Sequence, residues 1–212
     1  MTGKELMDSL AALAGAGAAL WAASVAHRGL NAWRDQQDAQ VKRDAARSLL
    51  DAVEELRAAE SDVRTKIGAT PAVVWSPPVP PSAAALAQYQ ASLTSLMDKA
   101  ATRLTDGQLK LGNAMLWAAF VLDAHLEGGP ATRILAQADT LRRALRETSS
   151  RIEDGTLTAQ PGGAWLQQIQ PAQQRLLASA IKDDPFVREF EAHSHELREA
   201  LRPFLLFQRR TI

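Results

Sequence analysis

The sequence predicts an all-α protein: an antiparallel bundle of four to five helices led by one long N-terminal helix. Three observations carry that expectation. Alanine and leucine dominate a hydrophobic share of 46%, aromatics contribute only 5%, and β-branched residues are sparse, so helix formers prevail over strand formers. Apolar residues recur at spacings of three and four, the period of one helical face. Breakers are confined to a few clusters, which divide the chain into long uninterrupted segments.

The first helix is expected from about Lys4 to Ile67, since Gly15, Gly17 and Gly29 weaken it but no proline backs them. In its second half, residues 29–67, Leu49, Val53, Leu56, Val63 and Ile67 form a heptad-like stripe, with Glu60 at one seam position. About three heptads of such a stripe suit a bundle helix or a short coiled coil, and the stripe is a candidate self-association surface. Residues 68–82 follow as a connector holding five of the ten prolines. Proline at that density excludes helix and central strand and favours an extended polyproline segment, with Trp75 packed back on the bundle. The P-x-x-P spacing within Pro77–Pro81 lacks a close basic flank, so it reads as connector rather than as a recognition motif.

Residues 83–212 supply the remaining helices. Ser82 is a suitable N-cap for a second helix running to about Glu127, with Leu86, Tyr89, Leu93, Leu96, Ala100 and Leu104 keeping the rhythm. The tetrapeptide Thr105–Gln108 offers a break at Gly107. The charge-free "LGNAMLWAAFVL" is too short for a bilayer and reads as the central core helix. Gly128-Gly129-Pro130 stops one helix and starts the next, whose stripe Ile134, Ala138, Leu141, Leu145 and Ile152 ends at Asp154-Gly155. A fourth helical region follows Gly162-Gly163, with Pro171 dividing it or beginning its main part. Asp184-Pro185 has the cap-then-proline order that opens a last helix bearing Phe186, Phe190, Leu197, Leu201, Phe204 and Leu205.

Residues 1–28 raise a different question. From Ser9 to Ala26 no side chain is charged, and eighteen residues at 1.5 Å each reach about 27 Å, close to the roughly 30 Å hydrocarbon core. Only Leu10, Leu13, Leu20 and Val25 are strongly apolar, so the stretch is a marginal span by itself. Ala11, Gly15, Ala19 and Ala23 lie four apart on one face, the small-residue pattern that lets helices approach closely in lipid. Arg28, Arg34, Lys42, Arg43 and Arg47 follow the stretch and only Lys4 precedes it, which orients the C-terminal bulk to the cytoplasm. Glu5 and Asp8 crowd Lys4 and argue against a secretory leader cut near Ser24-Val25-Ala26. The expectation is a single-pass anchor through residues 9–26 in an inner or plasma membrane, with a soluble packing helix as the competing reading.

Chemistry is harder to find. The chain has 24 basic and 24 acidic residues, and this balance argues against nucleic acid as a partner. It has no cysteine, which excludes disulfides, thiolate nucleophiles and sulfur-bound metals. Phosphate-binding glycine loops, H-E-x-x-H and the nucleophile elbow are missing, as are the Glu-x-x-His pairs of di-iron bundles. The weak metal candidates are Glu191, His195 and Glu199, spaced to share a face of the last helix; the same spacing is ordinary for a solvated helix surface. His193 lies near the Phe186–Phe190–Leu197 stripe, where a hydrogen-bonded boundary histidine is expected. The C-terminal "RPFLLFQRRTI" reads as a final turn with a basic end. No catalytic residue and no cofactor is indicated. The expected function is a non-enzymatic, membrane-anchored scaffold that binds protein partners and self-associates. The alternatives are a membrane-active pore former assembling through the small-residue face, and a soluble helical subunit of a larger assembly.

Overall fold

A computed structural model describes residues 3–73, 82–122, 128–158, 168–169, 171–177 and 184–206, apart from the side chains of 3–16, 68–73, 172 and 175. The described residues form an all-helical bundle with no strand. Its helices are α1 (Gly3–Val73), α2 (Ala83–Leu122), α3 (Pro130–Glu153), the short α4 (Pro171–Leu177) and α5 (Pro185–Leu205). The Pro-rich residues 74–81, including Trp75 and the P-x-x-P spacing, lie outside the described residues, as does the end of the second helix expected near Glu127. α1 continues six residues past the expected stop at Ile67.

Cross-helix pairs establish the topology. Arg103 pairs with Asp62 and Lys110 with Glu55, so α2 descends as α1 ascends. Ser149 donates to the Asp98 carboxylate at 3.1 Å and Gln108 to the Leu135 carbonyl at 3.3 Å, which sets α3 antiparallel to α2. Arg57 meets Glu191 at 2.6 Å and Arg198 meets Glu54, which sets α5 antiparallel to α1. The result is an up-down-up-down arrangement of four long helices. α4, with Leu157 and Ile169, supplies buried apolar residues beside it.

Local chemistry explains where the helices start and stop. Ser82 Oγ accepts from the Ala85 amide at 3.2 Å, a working N-cap for α2. Pro130 occupies the first turn of α3, behind Gly128 with φ 71°. α3 ends at Asp154, and Gly155 takes the left-handed conformation with φ 73°. Asp184 caps α5 by accepting from the Phe186 amide at 2.9 Å, with Pro185 in the first turn.

Two expectations change. Thr105–Gln108 does not break α2, which runs through it without interruption. Gly107 is buried against α1, where an added Cβ would lie 2.9 Å from Leu56 Cδ1; the glycine serves close helix approach rather than a turn. "LGNAMLWAAFVL" is not central either. Leu111, Ala114, Ala118 and Leu122 enter the core, whereas Leu116, Trp117 and Phe120 are exposed.

Candidate functional site

The described side chains of α1 divide into two regimes. From Ala45 onward α1 contributes to the core; from Gly17 to Asp38 every side chain is exposed. The register set by Glu55 and Lys110 places the end of α2 level with about Arg43, so the N-terminal part of α1 extends beyond the bundle as an arm. Leu20 and Trp21 are 73% and 72% exposed, and Val25, Leu30 and Trp33 are open as well. Within Gly17–Ala26, Leu20, Trp21 and Val25 with the intervening alanines cover all faces without a charge, and Ser24 is the one polar side chain. A helix apolar all round is ordinarily enclosed by protein or lipid. No helix among the described residues is long and apolar enough to cross a membrane. Of the small-residue face, Ala19 and Ala23 are exposed, while the side chains of Ala11 and Gly15 lie outside the described residues.

A second open surface lies on α2. Leu109, Asn113, Leu116 and Phe120 recur at four, three and four residues and are all exposed, Phe120 by 83% and Leu116 by 73%. Trp117 stacks on Phe120 with ring centroids 6.2 Å apart and planes 27° from parallel. Trp117 also borders a groove of about 600 Å³ between α1 and α2, with Ala52 and Ala114 in its lining and Asp44, Arg47, Asp51 and Glu55 on its α1 side.

The third feature is inside. Glu60 and Arg64, both buried, and the half-buried Asp184 form a charge cluster where α1 meets the start of α5. Arg64 is 1% exposed; it pairs with Asp184, donates through Nε to the Leu176 carbonyl at 3.1 Å, and lies 5.2 Å from the Phe186 ring centroid. One arginine therefore ties α1 to α4 and α5. Glu60 is 5% exposed and lines a pocket of about 120 Å³ with Arg57, Ser61, Arg64, Val187 and Phe190. Burial pushes its carboxyl up to about 8; Arg64 and Arg57 pull it down and Asp184 pushes it further up.

The sequence-selected residues distribute differently from expectation. Leu49, Val53, Leu56, Val63 and Ile67 are all buried in the core of their own bundle. The stripe is therefore covered within the chain. Glu191, His195 and Glu199 are exposed on α5, with Glu191 engaged by Arg57 and Glu199 by Arg202 at 3.2 Å. They form an ion-paired surface, and no group of three or more His, Asp or Glu among the described residues is placed to hold a metal. His193 does sit at the boundary, half-buried, but its Nδ1 is buried with no hydrogen-bond partner among the described residues. The final six residues and His125 lie outside the described residues. Sequence reasoning missed the α2 surface, although its heptad spacing was visible between Leu109 and Phe120. No family model matches the chain, and no curated protein and no solved structure is significantly similar to it.

Proposed function

We propose that the protein is a non-enzymatic helical-bundle scaffold held at a membrane by residues 9–26, with its bundle on the cytoplasmic side. The observation that supports this reading is the arm: Gly17–Ala26 is charge-free, apolar except for Ser24, and exposed throughout. Those ten residues cover about 15 Å, half a hydrocarbon core; with the charge-free Ser9–Ala16 the helix gains the length that a bilayer requires. The basic residues Arg28, Arg34, Lys42, Arg43 and Arg47 on the bundle side favour retention of the bundle in the cytoplasm. The bundle then carries protein partners at the membrane face.

Alkaline carbonate extraction tests this. Membranes from cells making the full chain are compared with those from cells making a chain that begins at Ala32. Retention of the full chain alone in the pellet is the expected result. Release of both overturns the anchor and favours the second reading, a soluble subunit whose arm is enclosed by other chains.

A further inference from the structure

We propose that the exposed α2 face of Leu109, Asn113, Leu116 and Phe120 binds the same face of a second copy of this chain, with the two α2 helices parallel across a two-fold axis. The proposal deepens the scaffold reading and rests on it for the shared orientation of the two copies.

The residues themselves select this occupant. Their spacing makes Leu109 and Leu116 d-type positions and Asn113 and Phe120 a-type positions of a short heptad seam. In a parallel pair, a-type residues meet their own counterparts, so Asn113 faces Asn113 of the second copy and the two amides hydrogen-bond to each other. In an antiparallel pair, Asn113 would face leucine, leaving its amide unpaired in an apolar layer. A lone asparagine between Leu109 and Leu116 is thus a register device that works best against an identical helix.

The geometry agrees with the arm. Parallel α2 helices send both α1 arms out of the same end, as two anchors in one bilayer require. The seam spans only about 16 Å, so confinement in one membrane, which raises the effective concentration, strengthens a contact that is weak in dilute solution. Trp117, stacked on Phe120, holds that ring on the seam.

The chain lacks cysteine, so a single Leu109→Cys, at the end of the seam with Asn113 left in place, reports on one position only. The full chain carrying it is oxidised in native membranes beside a control with Glu147→Cys, on the exposed surface of α3. The expected result is a covalent dimer at twice 22.9 kDa, several-fold more abundant than from the control. Adding Phe120→Glu, or separately Leu116→Gln, should reduce that yield at least about ten-fold with the circular-dichroism melt unchanged, since both side chains are exposed. Equal yields at the two sites, a yield indifferent to both face substitutions, or an adduct of another mass overturns the proposal. Carbonate extraction separates it from the anchor. A chain that cross-links at 109 but is released keeps the interface and loses the membrane; a chain that pellets without cross-linking does the reverse.

Discussion

Glu60 shows how a single residue sets the pH response of this fold. Its carboxyl is held near 8 in the bundle, first by burial, and returns toward 4.5 when the chain unfolds. The folded state therefore binds the proton more tightly, and stability falls as pH rises between those values. At pH 7 the penalty is roughly 3 kcal/mol for a group so nearly sealed from solvent. Asp62, Asp139 and Asp154 are shifted the other way, by hydrogen bonds from Lys66, Arg142 and Thr156 respectively, so what they contribute is complete above about pH 5. Of these four shifted carboxyls, Glu60 is the one that changes stability between pH 5 and 8. Glu60→Gln, which mimics the protonated carboxyl, is expected to leave stability nearly unchanged at pH 5 and to raise it by a few kcal/mol at pH 8. Denaturant titrations at the two pH values measure this. A wild type that is no weaker at pH 8, beside a destabilised glutamine variant, would mean that Glu60 is ionised and held by Arg64. The position was legible in the sequence as an acid on an apolar seam. Its chemistry was not, because Arg64 and Asp184 are 120 residues apart and meet only through the fold.

At the scale of the element, α2 shows where sequence periodicity is ambiguous. A glycine inside a helical pattern signals either a stop or a close approach, and only the partner helix decides. Here the partner is Leu56, whose Cδ1 occupies the space a Cβ at 107 would take. Gly107→Ala gains up to about 1 kcal/mol in helix propensity but has to displace Leu56 inside a packed core, which costs about 1–3 kcal/mol. Leu56→Ala alone should cost about 2–5 kcal/mol, because it leaves a cavity at a fully buried site. The double variant is expected to be more stable than the sum of the two changes, since the new methyl enters the space that Leu56 vacates. Chemical denaturation of the four proteins closes this cycle; strict additivity would show that the two sites do not share space. The same dependence on the partner explains the stripe on α1 and the face of α2. Both carry heptad spacing, and sequence alone does not say which one the chain covers itself. The charge-free run after Lys110 suggested a fully buried helix. In the bundle, however, α2 has α1 and α3 as neighbours, and its remaining face stays open.

At the scale of the whole molecule, the bundle and the arm differ in burial, since α1 joins the core only from Ala45 onward. The order of the helices was legible because each boundary has its own chemistry: the serine cap at 82, the Gly-Gly-Pro at 128–130, and the aspartate–proline at 184–185. The point at which α1 leaves the core was not legible, since its backbone stays helical and nothing local changes between Asp38 and Ala45. What changes is the availability of partners, because α2 ends level with about Arg43 and the Phe204 end of α5 lies near Ala39 and Lys42. Beyond that level the described side chains, from Gly17 to Asp38, are all exposed, so removing those before Ala32 takes no buried side chain from the core. A chain starting at Ala32 is therefore expected to melt within about 2 °C of the full-length protein, given that 1 kcal/mol corresponds to roughly 2–4 °C for a domain of this size. The comparison is made at equal low protein concentration, so that loss of self-association does not enter the melting temperature. A fall of more than about 5 °C would mean that residues 1–31 contribute to the folded core, either by lying back on the bundle or by exchange between copies. In the separable case the bundle folds by its own contacts, and the arm is left with an exposed apolar surface for which bilayer or protein must supply the cover.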